Sequence, residues 1–113
     1  MENIIVVETD PIVWLDLSDA LKSRFRAAQL ERLPLEDAIA SVATLCGSSR
    51  ALITAILPEN LSSLASRCAE GLRLVVTNTF ADVDVRAALP SALFIERPFD
   101  AGEILDFLAP VPS

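Results

Sequence analysis

Short apolar runs alternate with amphipathic stretches along this chain. Asn3 to Glu8 reads NIIVVE, a β-branched run without polar alternation, which is the pattern of a parallel strand buried on both faces. Asp10 then suits a helix N-cap and Pro11 the first helical position, where its missing N–H has no intrahelical partner in any case. Trp14, Leu17, Leu21 and Phe25 follow at spacings of 3, 4 and 4, one apolar stripe that the helix can lay on a sheet.

The same alternation continues to the end of the chain. Ala27 to Leu33 carries Gln29, Glu31 and Arg32, so a strand there belongs at a sheet edge, where polarity is tolerated. Leu35, Ala38, Ile39, Val42 and Leu45 recur at helical spacing, with Gly47 where a C-terminal cap belongs. Ala51 to Leu57 reads as a third strand ended by Pro58, and Asn60 to Glu70 as a helix stopped by Gly71. Leu72 to Thr77 is a fourth strand, rich in β-branched residues. Asp82 to Leu89 predicts a short helix before Pro90, Ala92 to Glu96 a fifth strand, and Asp100 to Leu108 a last helix capped by Asp100. The tail, residues 109 to 113, reads as loose.

Five strands alternating with five helices predict one α/β domain over residues 1 to 113, a parallel sheet covered on both faces through right-handed crossovers. Ligands of such sheets bind beyond the carboxyl ends of the strands, where the strand order reverses. Those ends are Glu8 to Asp10, Thr54, Thr77 to Asn78, and Glu96 to Pro98.

Composition narrows the chemistry. Hydrophobic residues make up 52% of the 113 and charged ones 22%, a balance that argues for a packed interior. The net charge of −7 arises from 16 acidic and 9 basic residues, the basic ones scattered singly, which argues against direct nucleic-acid binding. The apolar runs are strand-sized, short of the ~20 residues of a spanning helix, and no basic-then-apolar leader precedes them. A cytoplasmic protein without membrane contact is the expectation. Cys46 and Cys68 lack CxxC spacing, and the chain has no histidine, so the usual zinc constellations and the commonest general base are missing. Both cysteines read as reduced, buried or half-buried thiols. Three glycines form neither GxGxxG nor a P-loop, so there is no backbone cradle for phosphates.

Three segments, VVETDP at the first strand end, ALITAILP in the third strand and ERPFDAGEIL after the fifth, stand in an order and at spacings that resemble the receiver domain of two-component response regulators. The resemblance covers nearly the whole chain. It implies a single flavodoxin-like (βα)5 three-layer sandwich whose sheet has the order 2-1-3-4-5. Receivers catalyse their own phosphorylation on an aspartate, with Mg²⁺ held by that aspartate and an acidic pair at the first strand end. A carboxylate serves as nucleophile, and the hard cation takes oxygen ligands and offsets the charge of the moving phosphoryl group.

In this chain the acceptor position falls on Thr54, which cannot form an acyl phosphate. Glu8 fills the first place of the acidic pair and Thr9 the second, with Asp10 one residue further on. The resemblance therefore implies at most a weak Mg²⁺ site at Glu8 and Asp10, and no cofactor. The family's lysine is represented by Arg97, followed by Pro98; its planar, permanently charged fork is expected to turn to Glu8 or Asp10 as an ion pair. Thr77 matches the family's switch hydroxyl and Phe94 its switch aromatic, while Asn78 stands where receivers carry a small residue.

The implied function is that of a degenerate receiver, not an enzyme, acting by contact with a histidine kinase, a regulator or an output protein, or by pairing with a second copy. The surface that receivers use most for pairing offers Asp82, Asp84, Arg86, Glu96, Glu103 and Asp106, too acidic for the reciprocal salt bridges of DNA-binding regulators. Two alternatives stay open: a small flavodoxin-like enzyme or cofactor binder, and a receiver phosphorylated at the displaced carboxylates Glu8 or Asp10. Each residue also has a plainer reading. Thr54 and Thr77 are ordinary strand residues, Phe94 and Trp14 ordinary core, and Asp10 a helix cap.

Overall fold

The computed structural model describes residues 3–32, 49–55, 61–77, 83–96 and 99–108. In chain order they form strand β1 (Asn3–Val7), helix α1 (Pro11–Arg24), strands β2 (Gln29–Arg32) and β3 (Ser49–Thr54), helix α2 (Ser62–Ala69), strand β4 (Arg73–Val76), helix α3 (Val83–Ala88), strand β5 (Leu93–Phe94) and helix α4 (Ala101–Leu108). The helix expected over 35–45, the Gly47 cap, Cys46 and the tail from 109 lie outside the described residues.

The strands make one sheet in the order β2-β1-β3-β4-β5, every neighbouring pair parallel. The order reverses between β1 and β3, because the chain steps outward from β1 to β2 and then back across β1. Val7 stands opposite Thr54, Thr54 opposite Val76, and Val76 opposite Phe94, so the carboxyl ends of four strands finish almost level.

Helices cover both sides of the sheet, and the two-residue period of a strand decides which side chain meets which helix. Ile4, Val6, Ala51, Ile53 and Val75 pack with Leu17 and Leu21 of α1 and with Ile104 and Leu108 of α4. Ile5, Val7, Leu52, Leu74 and Val76 pack on the opposite face with Leu64 of α2, Leu72 and Leu89. Because strands in the middle of the sheet meet helices on both faces, they need apolar residues at odd and even positions alike, which is why NIIVV does not alternate. Each fully buried leucine or isoleucine contributes about 1.5–3 kcal/mol relative to exposure.

The helix ends follow local rules. Asp10 Oδ1 accepts the Ile12 N–H at 2.9 Å, and Pro11 opens α1. Leu17 and Leu21 of its stripe are buried, with Trp14 and Phe25 half-buried at the two ends. After α2, Gly71 takes φ 111°, a left-handed conformation that glycine reaches without strain. That turn lets the Leu72 N–H reach back to the Arg67 carbonyl at 2.9 Å. At α4, Asp100 Oδ1 accepts the Gly102 N–H at 2.9 Å. The Arg73 guanidinium, 5.2 Å above the Phe107 ring, ties the start of β4 to α4.

Element limits differ from the sequence reading in a consistent way. β2 is Gln29–Arg32, inside the expected 27–33, and polar as an edge strand should be. β3 begins at Ser49, two residues earlier than its apolar run, because Ser49 pairs with Asn3 across a register shift. β5 contracts to Leu93–Phe94, although the Ile95 N–H still bonds to the Val76 carbonyl at 2.9 Å. Apolar content marks where a strand is buried, whereas pairing extends only as far as its neighbour does. No helix among the described residues is long and apolar enough to cross a membrane.

Candidate functional site

Three buried polar residues stand side by side at the carboxyl ends of the inner strands. Glu8 follows β1 and is 4% exposed, Thr54 ends β3 at 2%, and Thr77 follows β4 at 1%. Thr54 pairs with Val7 and with Val76, so Glu8 and Thr77 each stand one residue beyond it on neighbouring strands about 4.8 Å away, and the three residues close the strand ends where the strand order reverses. Backbone bonds extend the ladder through this level. The Ala55 N–H donates to the Val7 carbonyl at 3.2 Å and the Thr77 N–H to the Thr54 carbonyl at 2.9 Å. Among the described residues no buried side-chain nitrogen or oxygen lacks a hydrogen-bond partner, so the row is a satisfied polar layer above an apolar core.

The acidic turn is built by its own side chains. Glu8 Oε2 accepts the Asp10 N–H at 3.1 Å, which folds the carboxylate back over the turn. Thr9 and Asp10 are exposed, and the Asp10 carboxylate is engaged at the helix N-terminus. Asp10 is thus a cap, and of the three residues only Glu8 is buried in the row. The oxygen set that the receiver resemblance implies for Mg²⁺ does not fit these residues, since Thr54 supplies a hydroxyl in place of the central carboxylate and Asp10 serves α1. Among the described residues no three histidine, cysteine, aspartate or glutamate side chains gather as a metal-holding group.

A residue that sequence reasoning missed completes the turn. Arg32, at the end of the edge strand β2, donates from Nε at 3.3 Å and from Nη2 at 3.1 Å to the Glu8 carbonyl. Its guanidinium carbon also lies 5.4 Å from the centre of the Trp14 ring. The parallel register sets Arg32 opposite Val6, two residues short of Glu8, a separation that its long side chain spans. The only local signal was a charged residue at the end of a polar strand; its neighbour is visible only once β2 is placed beside β1.

Phe94 is half-buried against the α2 and α3 side of the sheet, with the Arg86 guanidinium carbon 4.9 Å from its ring centre. Asp84, Arg86, Glu96, Glu103 and Asp106 are all exposed, so the acidic surface expected from the sequence faces solvent at these positions. Asn78, Asp82, Arg97 and Pro98 lie outside the described residues, and with them the expected ion pair of Arg97. A recess of about 460 Å³ borders Asn3, Gln29, Leu30 and Glu31, on the β2 edge and apart from the row of strand-end residues.

Cys68 of α2 is half-buried, as a small packing thiol should be. Burial pushes its pKa above the ordinary 9.0, against a smaller lowering by a hydrogen bond with Ser91. It therefore sits as a neutral thiol at physiological pH. Comparison of the chain with protein-family models and with curated proteins gives no match in either case.

Proposed function

We propose that this chain is a receiver-like signalling module that takes no phosphoryl group and acts through contacts with other proteins. The observation that carries the reading is Thr54, 2% exposed at the end of the central strand, between the buried Glu8 and Thr77. A carboxylate at that point would be the nucleophile of a self-phosphorylating site; a buried hydroxyl in a satisfied polar layer is not. Asp10 as a cap of α1 further supports the reading, because a carboxylate held at the helix N-terminus is poorly set for in-line attack on a donor.

On this reading the protein is no enzyme, works in the cytoplasm, and meets a histidine kinase, a regulator, an output protein or a second copy. The exposed Asp84, Glu96, Glu103 and Asp106 favour a partner with a basic face, since complementary charge speeds encounter and selects among partners. The test is incubation with a small phosphodonor, or with beryllofluoride, in the presence of Mg²⁺. Unchanged intact mass and unchanged amide resonances at Glu8, Thr54 and Thr77 are expected. A gain in mass of one phosphoryl group, or magnesium-dependent shifts at those residues, overturns the reading.

A further inference from the structure

We infer that Arg32 is a positioning residue of the strand-end site, fixing the Glu8 to Asp10 turn from the edge of the sheet. The inference rests on reading the strand ends as the functional pocket. Arg32 sends two N–H groups to a single acceptor, the Glu8 carbonyl. Because the peptide is planar, holding that carbonyl also orients the Thr9 N–H and the start of the turn. From there the bonds run in series: the Asp10 N–H meets the Glu8 carboxylate, and the Ile12 N–H meets the Asp10 carboxylate. This series links the guanidinium to the buried carboxylate of the site and to the first turn of α1.

Packing alone does not account for Arg32, which is itself exposed. What distinguishes it is the fork. A lysine would bring one point charge on a flexible stem, whereas guanidinium offers parallel donors and a flat face for an aromatic ring. Trp14 provides that ring one turn into α1, 5.4 Å away. The same cation thus bonds the turn before α1 and covers a side chain of α1, so the edge strand, the acidic turn and the helix move as one body.

The chain has one tryptophan and no tyrosine, so its near-ultraviolet emission reports this corner. The experiment uses the full chain as Arg32→Met, which keeps an apolar stem, Arg32→Lys, which keeps the charge, and Glu31→Ala as a control on the same strand. Amide hydrogen exchange at Asp10 and Ile12 and the Trp14 emission spectrum are read together. Arg32→Met is expected to speed exchange at Asp10 about tenfold, the factor for losing one charge-assisted hydrogen bond, and to move Trp14 emission to the red. Arg32→Lys falls between it and the parent, and Glu31→Ala matches the parent.

Exchange at Asp10 and Ile12 within about twofold of the parent, well below the tenfold expected of a lost charged hydrogen bond, overturns the inference. So does an acceleration spread evenly over β1, β3 and β4, which would assign Arg32 to overall stability. These outcomes are distinct from phosphorylation of the chain, which would sink the functional reading whatever Arg32 does.

Discussion

Placing a carboxylate at the strand end tests the reading of the site most directly. In Thr54→Asp the new side chain enters a position that is 2% exposed, with Glu8, itself 4% exposed, just beyond Val7 on the neighbouring strand. Glu8 is offset by one residue from the partner of residue 54, so strand spacing and rise put the two positions roughly 6 Å apart. Two like charges at that distance repel by about 3 kcal/mol at an effective dielectric constant near 20. Thr54→Asn, of the same shape and uncharged, serves as the reference, so loss of the threonine hydroxyl cancels from the comparison.

The penalty has a defined sign in pH. Repulsion and burial both raise the folded-state pKa of the introduced carboxyl by about 2 units for 3 kcal/mol. Below the unfolded value, about 3.9, the group is protonated in both states and Thr54→Asp matches Thr54→Asn. As pH rises through the raised folded value the stability of the folded state is lost, and at pH 7 the full difference of about 3 kcal/mol should appear. Urea unfolding followed by circular dichroism at pH 4 and pH 7 measures it. Mg²⁺ should return stability to Thr54→Asp alone, by about 2.7 kcal/mol at a hundredfold excess over its dissociation constant. Equal stability of the two variants at pH 7, with no response to Mg²⁺, would falsify the view of Thr54 as the centre of an emptied carboxylate site.

Two further predictions concern residues around that centre. Asp10→Ala should lower stability by about 1 kcal/mol through loss of the N-cap bond to Ile12, whereas Asp10→Asn, which keeps an acceptor, should cost only a few tenths; urea titration of both decides between cap and ligand, since a ligand role predicts equal harm from both. Cys68 in the folded chain should be alkylated by iodoacetamide more slowly than in urea at pH 8, because burial raises its pKa above 9.0. The sign for stability follows: the contribution of the neutral thiol is intact below 9.0 and is lost as pH rises through the folded value. Peptide mapping by mass reads this cysteine separately, and equal labelling in the two states would refute the shift.

Much of the architecture was written in local pattern. Unalternating β-branched runs, the Asp10–Pro11 helix start and the Gly71 stop depend on burial period, backbone angle and a missing N–H, all properties of a residue and its near neighbours. Glu8 and Thr77 could be named as strand ends for the same reason, since they close apolar runs, whereas Thr54 lies inside the run from Ala51 to Leu57 and is marked by the receiver resemblance. Sequence alone therefore determined the parallel α/β class, the polar character of the edge strand and the residues from which a site would be drawn. Tertiary structure decided how they meet. Whether Val6 faces α1 while Val7 faces α2 depends on how the sheet is wound, and the polar row exists because β1, β3 and β4 end level. Arg32 shows the difference most clearly: 24 residues separate it from Glu8, and nothing in its local pattern names that partner. Contacts of this kind arise from strand order, a property of the whole chain, because only the sheet brings distant residues within the reach of one side chain.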